Sequence, residues 1–277
     1  HTIYGELRFL PAADHLPGEM QEIYDGDTGK FLGRIPQIAH TYTVIGDMNE
    51  HQVAIGETTF TGRTELQDPT GIIDYGSLML LGLQRGRTAR QAIEVMGALM
   101  AEFGYYSTGE TFSVSDPNEV WIMEIIGKGP GNTGAAWVAR RIPDGYVSAH
   151  ANQSRIRQFP LNDPKNCLYG KDVISFAREK GWFQGRDEDF SFADTYAPAT
   201  FGALRFCEGR VWCMFHRVAP SLKIPIDYAK GVDGARPMPL WIKPDRKLSF
   251  QDVMELMRDH IEGTDFDLSK GIGAGPY

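Results

Sequence analysis

Cysteine is scarce in this sequence: its 277 residues hold three, Cys167, Cys207 and Cys213. Three thiols cannot build a disulfide scaffold, and none has the paired spacing of a zinc site. Buried free thiols are the plain expectation. One bridge, Cys207 to Cys213 across "EGRVW", stays open, because sequence spacing says nothing about a Cα separation. Positive charge is also short, with 28 Lys and Arg against 36 Asp and Glu for a net charge of -8. That balance disfavours phosphate backbones and anionic lipid, so no nucleic-acid partner is expected. No apolar run approaches the roughly 20 residues of a membrane span, and the opening "HTIYGELRF" has neither the basic leader nor the apolar stretch of a signal peptide. A full phosphate-loop motif is missing too: "GKGPGN" is rich in glycine but lies between two β-rich runs, which reads as a hairpin connection. No cofactor or metal is expected.

What remains is an ordinary globular composition, 42% hydrophobic and 23% charged, without repeats, linkers or low-complexity tracts. It is read as a single domain over residues 1–277. Ile3, Gly5, Leu7 and Phe9 alternate with Tyr4, Glu6 and Arg8, as in a half-buried strand, so the chain is expected to start inside a sheet. The other end, "KGIGAGPY", is a glycine-rich loop, and truncation is expected at both ends. Within 40–60, "TYTVI" and "QVAIGETTF" flank the turn formers of "GDMNEH" and predict a hairpin. "DYGSLMLLGLQRG" predicts a helix ending at Gly86, and Thr88 with Gln91 predicts a capping box opening a second one that closes near Gly104. Four β-rich runs follow, "TFSVSD", "EVWIMEII", "GAAWVARRI" and "GYVSAHAN", with tight turns between them, the pattern of an antiparallel meander. A helix is predicted over 172–180. Another starts at Ser249, with Phe250, Val253, Leu256, Met257 and Ile261 facing inward and Gly263 at its end. The stretch from Pro198 to Val218 fits helix or strand. The fold class is α+β, an antiparallel sheet with helices on both flanks.

The stretch "VSAHANQSRI", residues 147–156, runs from a strand pattern into Asn152, Gln153, Ser154 and Arg155. Asn and Ser end strands by bonding their own backbone. The same residues at the end of a rigid strand can also be aimed at a ligand. Residue types alone leave both readings open.

Three stretches in this order, "GDMNEHQVAIGETTF", "TFSVSDPNEVWIMEI" and "VSAHANQSRI", resemble the cysteine dipeptidases of the N-terminal nucleophile (Ntn) hydrolase superfamily, relatives of penicillin V acylases and bile salt hydrolases. The likeness covers most of the chain and extends through "APATFGALRF" and "RVW". It implies a four-layer αββα sandwich of antiparallel sheets, here incomplete, and an amino-terminal cysteine whose α-amino group is the base for its own thiol. It implies further that Asn152 donates its side-chain amide to the oxyanion of amide hydrolysis, that the backbone N–H of Thr59 is the second donor, and that Arg210 lies beside the nucleophile. Arg205 competes with Arg210 for that place. Glu57 and Thr58 are candidate pocket-lining residues.

The family's nucleophile has no counterpart here, since the chain begins at His1 and its first strand matches family sequence downstream of the catalytic cysteine. The expectation is a thiol-dependent dipeptidase with its cysteine upstream, acting on short peptides, and a fragment that is inactive by itself. Thr2 exposed by loss of His1, or an internal cysteine with His150 or His216, are the other nucleophiles the residues allow. An acylase of non-peptide amides and a non-catalytic binding protein are the alternative functions. Export would fit an N-terminal cysteine exposed by signal cleavage. An exposed sheet edge leaves self-association into a homo-oligomer open.

Overall fold

The computed structural model describes residues 7–270. In chain order the elements are β1 (Phe9–Leu10), β2 (Ala13–Asp14), β3 (Met20–Tyr24), β4 (Phe31–Pro36), β5 (His40–Thr41), β6 (Val44–Ile45), β7 (Met48–Asn49) and β8 (Ala54–Phe60), then helices α1 (Tyr75–Arg85) and α2 (Ala89–Phe103). After them come β9 (Gly109–Ser115), β10 (Val120–Gly127), β11 (Ala135–Arg141), β12 (Val147–Ser148), β13 (Cys167–Tyr169), α3 (Val173–Glu179), α4 (Phe192–Tyr196), α5 (Phe201–Ala203), α6 (Gly209–Val218), β14 (Trp241–Ile242) and α7 (Phe250–Met257). The strand expected from Ile3 lies largely outside the described residues.

An eight-stranded antiparallel sheet in the order β1-β6-β7-β8-β9-β10-β11-β13 organises the chain. Alternation along β8 to β11 separates its two faces. Ile55, Phe112, Val114, Trp121, Met123 and Ile125 pack against Leu78, Leu81, Ile93, Met96 and Met100 of α1 and α2. Phe60, Ile122, Ile126, Ala136 and Val138 pack on the opposite side against Phe159, Val173, Phe176, Phe192 and Tyr196, from α3, α4 and the segment before them. Burial on both faces explains why "VWIMEII" is almost continuously apolar. A third cluster joins Ala149 and Ala151 to Val211, Phe215 and Val218 of α6 and to Ile242. The fold is α+β with mostly antiparallel pairing.

Helix boundaries follow capping chemistry. The Asp74 side chain accepts from Ser77 N at the start of α1, and Thr88 accepts from Gln91 N at the start of α2. The second half of the predicted box is displaced: Gln91 Oε1 accepts from Arg87 N at 3.0 Å instead of from Thr88. Ser249 and Asp252 form a complete capping box on α7.

Three expectations need correction. The fourth β-rich run does not extend the meander: β12 is two residues long and pairs with β14, while β13 takes the place beside β11. Residues 149–156 leave the extended ladder because their backbone and side-chain groups find partners elsewhere, with Asn152 in the left-handed region at φ 52. Helix α7 ends at Met257, and Phe250 and Met257 are 87% and 75% exposed. Its periodicity marks an apolar face, but periodicity cannot specify that anything covers it. The stretch left unresolved between 198 and 218 is helical, with a π-helical turn over Leu204–Glu208 leading into α6.

Candidate active site

The site is built on one edge of β8. On one side β8 pairs with β9 along its full length, Ala54 opposite Ser115 through Phe60 opposite Gly109. On the other side its contact with β7 is confined to Ala54 opposite Met48 and to Ile55 N donating to Asp47 O. In an extended strand, alternate residues direct both backbone groups to the same edge. Ile55 addresses the β7 side, so Glu57 and Thr59 do too, beyond the point where β7 stops. Among the described residues no strand covers that edge at Thr59.

Asn152 occupies it. Its amide Nδ2 donates to the Thr59 carbonyl at 2.7 Å, and its Oδ1 accepts from Arg210 Nη2 at 2.9 Å. Arg210 is itself held by Nε donating to Phe206 O at 2.7 Å, across the π-helical turn. A guanidinium has no acceptor, so the Arg210 bond fixes which end of the Asn152 amide is oxygen. One hydrogen of Nδ2 is committed to Thr59, and the other is left to donate. The left-handed backbone at Asn152 is a conformation that Asn tolerates better than most residues, and it turns the side chain back toward β8. The three residues singled out from sequence, Asn152, Thr59 and Arg210, thus converge. Arg205 points elsewhere, over the ring of Phe266 with Nη2 on Asp265 O.

The side chains around Thr59 divide by sheet face. On the face toward α3 and α4, Thr58 Oγ1 lies 2.6 Å from His150 Nδ1 and Ser113 Oγ 2.8 Å from His150 Nε2. Burial, aided by the nearby Arg155 charge, pushes the His150 pKa down to about 4. A neutral imidazole with one donor and one acceptor nitrogen suits two hydroxyls, and both its nitrogens are occupied. His150 is a packed, satisfied residue. On the opposite face Thr59 Oγ1 donates to Glu110 Oε1 at 2.8 Å. Burial, with Glu57 beside it, pushes the Glu110 carboxyl up to about 9. A groove lined by Arg8, Asp47, Gly56, Glu57 and Tyr75 borders this part of β8.

All three cysteines are free and buried, so the Cys207–Cys213 bridge is not formed. Burial raises each thiol, Cys167 and Cys213 to about 12. Such thiols are poor nucleophiles at neutral pH. His216 stacks on Trp212 on the exposed side of α6. Among the described residues no group of three or more His, Cys, Asp or Glu is placed to hold a metal ion, and no helix is long and apolar enough to cross a membrane. Glu124 and Glu208, which the sequence does not single out, hold the segment carrying Asn152 together with Arg155. The signal was a single acidic residue inside the apolar run "WIMEII", which is costly unless it is bonded.

The arrangement offers an amide N–H and a strand-edge peptide N–H near one point, beside a guanidinium. Such donors can stabilise an oxygen that gains negative charge. The chain is 27% identical to a Salmonella dublin protein named "Probable dipeptidase", across 93% of this chain and 60% of that protein. It is also 27% identical to "Probable dipeptidase" of Latilactobacillus sakei, across 79% of this chain and 44% of that one. A third relative, "Probable dipeptidase A" of Streptococcus pyogenes serotype M3 (strain SSI-1), is 27% identical across 91% of this chain and 55% of its own. The chain therefore spans about half the length of these curated relatives. The family model for peptidase family C69 matches residues 13–275, nearly the whole of the sequence. With that match added to the convergence at β8, the chain belongs to peptidase family C69.

Proposed function

We propose that this chain forms most of the catalytic domain of a dipeptidase that works through a cysteine thiolate supplied by sequence outside residues 1–277. The observation that carries the reading is the Asn152 amide, held at one end by Arg210 and at the other by Thr59 on an open strand edge. In the proposed reaction the thiolate attacks the peptide carbonyl. The free hydrogen of Asn152 Nδ2 and the N–H of Thr59 receive the oxyanion, and Arg210 keeps the amide aimed while adding positive charge. The α-amino group of that cysteine takes the thiol's proton and passes it to the departing amine, and water then adds to the thioester through a second oxyanion in the same place, releasing the acid and the thiol. A donor of this type is worth about 3–4 kcal/mol in the transition state.

The buried state of Cys167, Cys207 and Cys213 supports placing the nucleophile elsewhere. In the proposed complete fold, the β12–β14 pair belongs to a second sheet that faces the main one, giving the four-layer αββα sandwich. The names of the relatives support peptides as substrates.

The test is expression of the product of the complete gene, followed by assay against unblocked dipeptides and against conjugated amides of bile salt and penicillin type. Turnover of dipeptides, abolished by replacing the proposed cysteine, is the expected result. Turnover of the conjugated amides alone would make it an acylase. Failure on every amide, with the folded protein still retaining dipeptides, would make it a binding protein.

A further inference from the structure

Glu124 interrupts the apolar run of β10 and is fully buried between Ile122 and Ile126, on the face away from α1 and α2. A lone carboxylate in that place would be strongly destabilising. Its oxygens are instead filled by three consecutive residues. Ser154 Oγ donates to Oε2 at 2.5 Å, Arg155 N donates to Oε1 at 2.5 Å, and Ile156 N lies 3.1 Å from both. Through Glu124 the irregular segment after Asn152 is tied to the centre of the main sheet.

Arg155 carries the connection onward. Its Nε donates to Glu208 Oε1 at 2.9 Å, its Nη1 to Ala149 O at 2.9 Å and its Nη2 to Pro239 O at 3.0 Å. The Arg155 and Glu208 side chains are 3% and 4% exposed. Glu208 closes the π-helical turn that leads directly into Arg210. Two rungs therefore join the same two segments. The outer one, Asn152 to Arg210, is open to water, and the inner one, Arg155 to Glu208, is dry. A solvent-exposed contact is weakened by competition with water, whereas a buried ion pair whose guanidinium is also bonded to backbone carbonyls is held to one geometry.

We infer that Glu124, Arg155 and Glu208 form a buried positioning clamp that sets the separation and orientation of Asn152 and Arg210, although none of the three reaches the reacting atoms. Asn152 sits in a bend with no ladder partner, so its backbone is not fixed by the sheet, and its one bond to β8 runs through its own side chain. The clamp supplies that constraint from below, and the π-helical turn lets Glu208 and Arg210 both face the same segment. The kinetic part of the claim rests on the proposed dipeptidase reading. The structural part does not.

The test uses the product of the complete gene and the variants Glu124→Gln, Glu208→Gln and Asn152→Gly. Amide hydrogen exchange, measured without substrate, reads the clamp itself. In Glu124→Gln and Glu208→Gln, residues 150–157 are expected to exchange at least about 10-fold faster than in the parent, with β9 to β11 unchanged. Dipeptide turnover reads its effect: kcat should fall by about 10- to 100-fold with KM within about twofold, because misplacement of a transition-state donor costs rate more than binding. Added to Asn152→Gly, Glu208→Gln should lower kcat by less than about threefold further, because the two act through one group. Unchanged exchange in 150–157, or losses that multiply in the double variant, would overturn the clamp. If Glu124→Gln does not fold, Glu208→Gln, which keeps the shape and a neutral bond to Arg155, carries both measurements. A parent protein that cleaves no dipeptide would remove the functional reading, while the exchange result would still decide the clamp.

Discussion

Arg210 donates to the side-chain oxygen of Asn152 at 2.9 Å, across 58 positions of sequence. The contact joins the helix after the π-helical turn to the bend after β12, and it determines the chemistry that Asn152 can offer. With its oxygen taken by a permanent cation, the amide presents only N–H groups to β8 and to whatever binds there. An asparagine held this way donates without titrating, which a histidine or lysine in its place would not do.

Asn152 should matter to rate and hardly to stability. In the complete protein, Asn152→Gly removes the amide without straining a backbone at φ 52, and kcat for a dipeptide should drop about 100- to 1000-fold with little change in KM. Asn152→Asp is the sharper variant. It tolerates the same backbone and keeps the Arg210 contact, but it has no donor, so its kcat should fall at least as far. Steady-state kinetics with thermal melts check both. A large loss of melting temperature at near-normal kcat would make Asn152 a turn residue only.

Arg210 should show graded behaviour. Arg210→Lys keeps the charge but cannot hold Phe206 O and Asn152 Oδ1 together in one planar fork, so kcat should fall by roughly tenfold. Arg210→Ala removes both the charge and the hold on Asn152 Oδ1, leaving the amide tied only at Thr59 O, and the loss should be larger, near that of Asn152→Gly. Arg205→Ala, which removes an exposed contact to Asp265 O away from the site, should keep full activity. Equal effects of Arg205→Ala and Arg210→Ala would sink the assignment.

The exposed face of α7 gives a stability prediction of opposite kind. Phe250 is 87% exposed, so Phe250→Ser should change unfolding free energy by no more than about 0.5 kcal/mol. Gly109 is the contrasting case. A Cβ there would overlap the Phe60 ring across the β8–β9 ladder, and Gly109→Ala should cost about 1–3 kcal/mol. Urea denaturation of the two variants side by side decides the matter.

Local chemistry made much of this fold legible. Thr88 announced α2 and Ser249 announced α7, because a cap is a contact between neighbours in sequence, and apolar spacing announced α1. The β9–β10–β11 meander was readable for the same reason, its turns being short. Long-range choices were not. Val147–Ser148 pairs with Trp241–Ile242, more than ninety positions away, and no pattern in "VSAHAN" could name that partner. Asn152, Thr59 and Arg210 were brought forward only through likeness to a family, whereas Glu124 was visible as an oddity and went unused. Its partners, Ser154 and the N–H groups of Arg155 and Ile156, carry no sequence signal that points back to β10.

Glu110 links the site to pH through stability. Burial, with Glu57 beside it, holds its folded pKa near 9, against 4.5 for an unperturbed glutamate. The folded protein therefore keeps a proton that the unfolded chain releases as pH passes 4.5. The resulting stabilisation is fully present below that pH and is lost progressively up to about 9, with a slope of at most about 1.4 kcal/mol per pH unit. Glu124, raised to about 7 chiefly by burial, contributes in the same direction over the lower part of the range. Between pH 7 and about 8 Glu110 acts above the range of Glu124 and below that of the buried thiols, and what the two proteins share cancels in the comparison with Glu110→Gln. Glu110→Gln keeps the acceptor for Thr59 Oγ1 and removes the proton. Urea denaturation of parent and variant at pH 5, 7 and 9 should show the parent losing stability relative to Glu110→Gln as pH rises, most plainly between 7 and 9. Parallel curves for the two proteins would mean that Glu110 is ionised in the folded state, and that a buried carboxylate, not a carboxylic acid, accepts the bond from Thr59.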